Sequence, residues 1–187
     1  MNREELRSLL KEYPVIAAVK DEKGLEECIF ANCRVVFILY GNVMNICRIV
    51  KRVKDAHKTV FVHIDLIEGL SAKEVAVEYI VQNTGADGII STKQALIKSA
   101  SAHGLLTVQR FFMLDSLAID TLKKQIHGES MDVIEVLPGC MPKIISKIVQ
   151  ITRLPVIASG LLQDKEDMRA ALAAGAAAVS GTNYEIW

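Results

Sequence analysis

The sequence lacks several things, and each absence excludes a class of function. No apolar run approaches the ~20 residues that a membrane span requires, although 51% of the 187 residues are hydrophobic and the mean hydropathy is +0.27. The start, Met1-Asn2-Arg3-Glu4-Glu5, has no apolar core of the kind a signal peptide carries. The expectation is a soluble, cytoplasmic protein. Charge of one sign is not in excess: Lys plus Arg and Asp plus Glu number 22 each. Proteins built to grip phosphate backbones usually carry a surplus of cations, so the balance removes the simplest argument for nucleic-acid binding without excluding it. Cysteine is sparse. Cys28, Cys33, Cys47 and Cys140 form no C-x-x-C pair and no zinc spacing, which reads as free thiols in a reducing compartment and no metal site. Neither G-x-x-x-x-G-K-[ST] nor G-x-G-x-x-G occurs, so nucleotide binding has no motif behind it. There is no linker or low-complexity tract, and the length suits one domain, 1–187, with a sizeable core.

What is present is organised around Val60–Ser71. Alternation along a strand puts Phe61, His63 and Asp65 on one face and the apolar Val60, Val62 and Ile64 on the other. A parallel strand with helices packed outside and a site at its C-terminal tip has this pattern. Ser71 with Glu74 reads as a capping box for the next helix. Around this stretch, strands and helices alternate. After an amphipathic lead-in helix over 2–11, strands are predicted at 14–20, 34–40, the Val60 stretch, 85–91, 105–110, 131–137, 154–160 and 176–180. The intervening helices fall at about 22–32, from an Asn42 N-cap to His57, 72–83, from Thr92 to Gly104, 116–126, from Pro142 onward, and 164–173. Eight such units predict a closed parallel barrel of the α/β class, a minimal (β/α)8 TIM barrel with a short or missing eighth helix.

In such a barrel ligands bind at the C-terminal face, and phosphate often binds at the loops after strands seven and eight. Here those loops are Ala158-Ser159-Gly160-Leu161 and Val179-Ser180-Gly181-Thr182-Asn183. Glycine lets backbone approach an anion closely and hydroxyls add donors. Ser159, Gly160, Ser180, Gly181 and Thr182 are therefore the candidate phosphate ligands; taken alone, the glycines are equally what tight turns need. The other strand ends send Lys20, His63, Asp65, Lys93, Arg110 and Glu135 toward the same mouth. Each alone has a structural reading, but their convergence reads as a polar ligand pocket. The pocket is poorly equipped for demanding chemistry. A Schiff-base aldolase needs a buried or cation-flanked lysine, and Lys93 is the one fair candidate.

Several strings resemble the glycerol-3-phosphate-responsive antiterminator family, regulators of glycerol uptake operons. They include Pro14–Lys20, Ile38–Asn42, H-I-D-L-I-E-G-L at 63–70, D-G-I-I-S-T-K at 87–93, Val108–Phe111, Leu114–Ser116, Ile134–Gly139, Met141–Ile144, Asn183 and Trp187. The resemblance covers nearly the whole chain. It implies a barrel that binds glycerol 3-phosphate, needs no other cofactor, catalyses nothing, and when liganded binds leader mRNA so that transcription passes a terminator. Two positions depart from the family pattern: Ala158-Ser159-Gly160 stands where Gly-Gly is usual, and Gly181 where a hydroxyl residue is common. For the RNA surface, Arg48, Lys51 and Arg52 fall on one helical face, with Lys54 and Lys58 nearby. Lys143, Lys147 and Arg153 form a second basic set, and no exposed aromatic cluster accompanies either. Two readings remain: a ligand-gated RNA-binding regulator without enzymatic activity, and a small enzyme acting on a phosphorylated metabolite, of aldolase or epimerase type. A homo-oligomer is left open.

Overall fold

The computed structural model describes residues 1–126 and 130–187. Eight parallel strands, β1 (Val15–Val19), β2 (Val35–Ile38), β3 (Thr59–His63), β4 (Gly88–Ser91), β5 (Leu106–Phe112), β6 (Val133–Leu137), β7 (Val156–Ser159) and β8 (Ala178–Gly181), pair in chain order. β8 closes on β1, with Ile16 beside Ser180. The helices are α1 (Arg3–Glu12) before the barrel, then α2 (Glu22–Phe30), α3 (Ile46–Asp55), α4 (Glu74–Asn83), α5 (Gln94–Ala102), α6 (Ser116–Gln125), α7 (Pro142–Ile151) and α8 (Lys165–Ala173). After β8 the eighth unit carries only a 3-10 turn, Tyr184–Ile186, so the eighth helix is short as expected. The protein is a (β/α)8 barrel. Among the described residues no helix is long and apolar enough to cross a membrane.

Strand alternation builds the interior in layers. Ile16, Val35, Phe37, Phe61, Ile90, Leu106, Val108, Val133, Ile157 and Ala178 fill the lower barrel as one apolar cluster. Leu6 and Leu10 of α1 belong to the same cluster and plug the N-terminal end. Asn2 caps α1 through a complete capping box with Glu5. The Phe37 and Phe61 rings meet edge-on, 5.7 Å apart. Outward residues such as Val60, Val62 and Ile64 pack beneath the helices.

Three helix starts differ from expectation. Ser71 caps nothing: α4 begins at Glu74 behind Lys73, with no side-chain cap. α3 begins at Ile46, not beside Asn42. The reason is a tie between loops. Val43 N–H donates to Glu68 O at 2.9 Å and Glu68 N–H to Gly41 O at 3.0 Å, holding the two chains extended side by side. Asn42 then closes a turn, its Oδ1 accepting from Met44 N–H at 2.9 Å. Thr92 likewise lies before α5, because its hydroxyl and amide are spent on Asp65.

Gly88 faces the packed rings of the interior. A Cβ there would lie 2.3 Å from Leu106 O and 2.4 Å from Phe61 Cε1. Gly88→Ala, ordinarily favourable in a strand, is expected to destabilise the barrel by about 1–3 kcal/mol through overpacking. A urea midpoint at or above that of the wild type would contradict this.

Candidate functional site

Two residues beyond the apolar interior layer, the inward row turns polar on five of the strands, while β1 and β2 stay apolar with Ala18 and Leu39. Phe61 is followed by His63, Val108 by Arg110, Val133 by Glu135, Ile157 by Ser159 and Ala178 by Ser180. The register places Arg110 beside Glu135 and Ser159 beside Ser180 on neighbouring strands. Glu135 is fully buried and the Arg110 side chain is 10% exposed. Arg110 Nε and Nη2 donate to Glu135 Oε2 and Oε1 at 2.7 and 3.2 Å, a bidentate pair. Ser159 Oγ donates to Glu135 Oε1 at 2.6 Å. A carboxylate this deep needs such a partner, since an unpaired buried charge costs several kcal/mol. One sequence-based role changes as a result. The Ser159 hydroxyl proton is committed to Glu135, so Ser159 shapes the site but does not donate to a ligand.

A cavity of about 130 Å³ opens above this pair. Its walls bring together Arg110, Glu135, Ser159, Gly160, Ser180, Gly181 and Thr182, as the sequence anticipates. They also include Ala18, Leu39, Leu137, Leu161 and Leu162, apolar positions that sequence reasoning missed because nothing marks a wall leucine as different from a core leucine. The volume falls well below the ~300–1,000 Å³ of drug-sized sites, which restricts the ligand to a very small molecule. The N–H groups of Gly160, Leu161 and Thr182, and the Ser180 hydroxyl, donate to no other group among the described residues. The residues that carry these donors line the same cavity as the Arg110–Glu135 pair.

Two glycines of the site lie in close contact with neighbouring chain, and for Gly139 that contact is with backbone. Gly139 has no room for a side chain, since a Cβ would lie 2.8 Å from Ser159 N. Its N–H donates to Gly160 O at 2.9 Å, joining the loop after β6 to the loop after β7. At Gly181 a Cβ would lie 2.7 Å from Ile186 Cδ1, and Trp187 Nε1 donates to Gly181 O at 2.8 Å. The C-terminal turn therefore closes onto the eighth loop, and a side chain at this position would require the Ile186 terminal methyl to shift.

The remaining ionisable residues form a second cluster at the tips of β3 and β4. Asp65 sits on a short 3-10 turn just past β3 and accepts from Ser91 Oγ at 3.0 Å, Thr92 N–H at 2.8 Å and Thr92 Oγ1 at 3.0 Å. Lys93 Nζ lies 3.4 Å from it. Burial works to raise the Asp65 carboxyl, but these donors outweigh it and hold its pKa below the ordinary value. His63 is 2% exposed and its Nδ1 has no partner among the described residues. Burial, with the Arg110 guanidinium nearby, pushes its pKa down to about 4 against the opposing pull of Asp65, so the ring is neutral at pH 7. Lys20 does not join either group. It is exposed beyond β1 and makes no hydrogen bond or ion pair among the described residues. Lys93 is half-exposed beside a carboxylate, the reverse of the buried or cationic setting that activates a Schiff-base lysine.

The first basic set is not an open patch. Lys51 pairs with Asp55 at 2.7 Å, Arg52 with Glu22, and Lys54 with Asp87 at 2.7 Å. The Arg52 hydrogen bond holds the Glu22 carboxyl below its usual range, and Arg48 adds to the effect. Lys58 is buried and donates to the carbonyls of Ala31 and Cys33. Of the three residues that sequence spacing put on one face, Lys51 and Arg52 are paired with carboxylates of α3 and α2, while exposed Arg48 makes no ion pair among the described residues. Lys143 and Lys147 are exposed on α7 and make no ion pair among the described residues.

Fold and site together define a (β/α)8 barrel with a small polar cleft among its last strand tips. The sequence profile of the glycerol-3-phosphate responsive antiterminators matches residues 15–187, and the chain belongs to that family. It is 45% identical over 182 residues to YgcP of Escherichia coli K12, an uncharacterised protein, covering 97% of this chain and 95% of that one. Among solved structures it is similar to the glycerol uptake operon antiterminator regulatory protein of Listeria monocytogenes. The TM-score is 0.88 at 33% identity, over 92% of this chain and 94% of that one. A related antiterminator-like protein of Thermotoga maritima gives a TM-score of 0.82 at 37% identity, over 92% and 96% of the two chains. The barrel alone is shared with more distant enzymes, for example a deoxyribose phosphate aldolase of Aeropyrum pernix, TM-score 0.71 at 12% identity, covering 96% of this chain and 89% of that one. The family is a regulatory one.

Two outcomes follow from the geometry. Glu135→Gln leaves the Arg110 charge buried without a counter-charge and is expected to cost about 3–5 kcal/mol, whereas Arg110→Met combined with Glu135→Leu recovers most of that loss. Urea unfolding of the three proteins decides it; a double variant no more stable than Glu135→Gln would contradict the account. For His63 the sign is set by a folded pKa of about 4 against 6.5 unfolded. The unfolded chain then binds the extra proton between pH 6.5 and 4, so stability is full above 6.5 and falls by up to about 3 kcal/mol as the pH drops to 4. His63→Leu is expected to flatten that part of the stability profile measured by denaturant titration, and an unchanged slope would contradict it.

Proposed function

We propose that the cleft between the tips of β7 and β8 binds glycerol 3-phosphate, and that the liganded protein acts on leader mRNA as a non-enzymatic antiterminator of glycerol-utilisation genes. The observation that carries the ligand assignment is the set of unused donors on the two adjoining loops: the Gly160, Leu161 and Thr182 amides and the Ser180 hydroxyl. Together they suit a phosphate, because amides on a glycine-containing loop approach an anion without a side chain in the way. The Arg110–Glu135 pair in the same cavity offers donors and acceptors at once, which is what a polyol's hydroxyls require. Leu137, Leu161 and Leu162 cover the three-carbon chain. The cavity of about 130 Å³ suits this ligand and excludes a nucleotide.

Support for a non-catalytic role comes from how the ionisable groups are spent. Glu135 accepts from Arg110 and Ser159 and has little capacity left to take a proton from a substrate. Asp65 is saturated by Ser91 and Thr92. Groups held this way bind and position, and they do not cycle protons.

Calorimetry and thermal melting test the ligand. Glycerol 3-phosphate at a hundred times its Kd is expected to add about 2.7 kcal/mol of stability, raising Tm by roughly 5–10 °C for a chain of this size, with glycerol alone far weaker. No heat and no shift at millimolar ligand would remove the ligand assignment. A gel-shift titration with labelled leader RNA is expected to show tighter binding with the ligand than without, and equal affinity would remove the switch.

A further inference from the structure

Charge is balanced over the chain as a whole but not along it. No Asp or Glu occurs between Glu135 and Asp164, a stretch that contains Lys143, Lys147 and Arg153. Both ends of this stretch line the ligand cleft, Leu137 at its start and Ser159 to Leu162 at its end. Its middle is α7. Lys143 and Lys147 lie one turn apart on the outer face of that helix, about 6 Å along its axis. Arg153 follows the helix at the N-terminal end of the barrel. There, between α1, α7 and α8, a second cleft of about 570 Å³ opens. Lys11 and Arg153 stand on it, its floor is Val149, Leu154, Pro155 and Leu172, and no carboxylate lines it. Lys11, Lys143, Lys147 and Arg153 make no ion pair among the described residues. Arg7, beside them, is held by Glu4 at 3.6 Å and by the Arg153 carbonyl. On α3, by contrast, Lys51, Arg52 and Lys54 are each paired to a carboxylate, and Arg48 alone of that set makes no ion pair among the described residues.

We propose that α7 and the cleft below it form the surface that binds single-stranded RNA. This rests on the antiterminator reading and adds the place and the form of the nucleic acid. Cations without a protein counter-charge are the ones whose phosphate contacts release bound counterions and so favour a polyanion. Lys143, Lys147, Arg153 and Lys11 take successive phosphates. The apolar floor beside the Arg153 guanidinium takes an unstacked base, which a paired strand does not offer. The position of α7 also supplies the link to the ligand. The helix starts from the loop after β6, and Gly139 N–H binds that loop to Gly160 of the phosphate loop. One unit of chain is therefore touched by both partners.

The test measures fluorescence anisotropy of the full chain with labelled leader RNA, single-stranded and fully paired, with glycerol 3-phosphate present. Lys143→Gln with Lys147→Gln is expected to weaken single-strand binding about tenfold near 0.15 M salt and to lower the salt slope by about 1.4, while leaving glycerol 3-phosphate calorimetry and Tm unchanged. Lys11→Gln with Arg153→Gln is expected to act in the same direction, and Lys51→Gln, which removes a lysine already paired with Asp55, to change little. Wild-type binding that both α7-side variants retain overturns the surface and leaves the antiterminator reading standing. Equal affinity for the paired RNA overturns the single-strand assignment. A wild-type chain that binds no leader RNA with or without ligand overturns the antiterminator reading, and this surface with it.

Discussion

The structure depends on one buried ion pair. Glu135 has no exposure at all and is neutralised by Arg110 from the neighbouring strand. A charge at that depth is tolerated only with its partner in place, so the pair fixes the register of β5 against β6. Ser159 extends the constraint to β7 by donating to the same carboxylate. Three of eight strands are thus locked at one level of the barrel, where the apolar interior below meets the polar layer above. The electrostatics of that layer follow from the pair. The Arg110 guanidinium joins burial in keeping His63 neutral. Its charge is matched by Glu135, so the cleft carries no large net field. Any anion there must be held by oriented N–H groups more than by free cations.

The fold was legible in the sequence because it follows from periodicity. Eight strand-like runs separated by helical ones leave few topologies, and the alternation around Phe61 and His63 already separates interior from exterior. The polar layer was legible for the same reason, since Arg110, Glu135, Ser159 and Ser180 each lie two residues past an apolar inward position. Partners were not legible. Asp65 meets Ser91 and Thr92 across 26 and 27 residues of chain, and Arg52 meets Glu22 across 30. No local pattern announces such pairings. The helix start at Asn42 was misplaced by the same kind of long-range term. Two loops hydrogen-bond to each other, and that tie outweighs a cap residue worth about 1 kcal/mol. Lys20 illustrates the converse: it is the next inward position after Ala18, but the strand has ended and the side chain leaves for solvent.

The two departures from the family pattern have a common physical reading. Ser159 turns its hydroxyl into the barrel, and Gly181 faces outward toward the terminal methyl of Ile186. Neither position contributes a side-chain donor to the cleft. A cradle made from backbone N–H groups is insensitive to such exchanges, provided the loops keep their path. Steric fit keeps it: Gly139 lies backbone to backbone against Ser159, and Gly160 adopts φ +75°, which glycine reaches without strain. The glycines therefore belong to the site through shape more than through chemistry.

That distinction bears on how a very small ligand acts on a large surface. A ligand shifts an equilibrium only by the difference in its affinity for two arrangements, so its leverage depends on which parts of the protein it touches. In the proposed pose the contacts fall on the tips of β5, β6 and β8 and on the loops after β7 and β8, and the loop after β6 adjoins them. The loops after β6 and β7 are joined by the Gly139–Gly160 hydrogen bond, and α7 runs between them. The lower barrel, packed around Phe37 and Phe61 and sealed by α1, has no slack to respond. At the rim, α7 is the element that joins the cleft to a stretch of chain free of acidic side chains. Under the proposed reading, α7 is therefore the shortest covalent route from the cleft to the RNA surface, while the packed lower barrel serves as its fixed base.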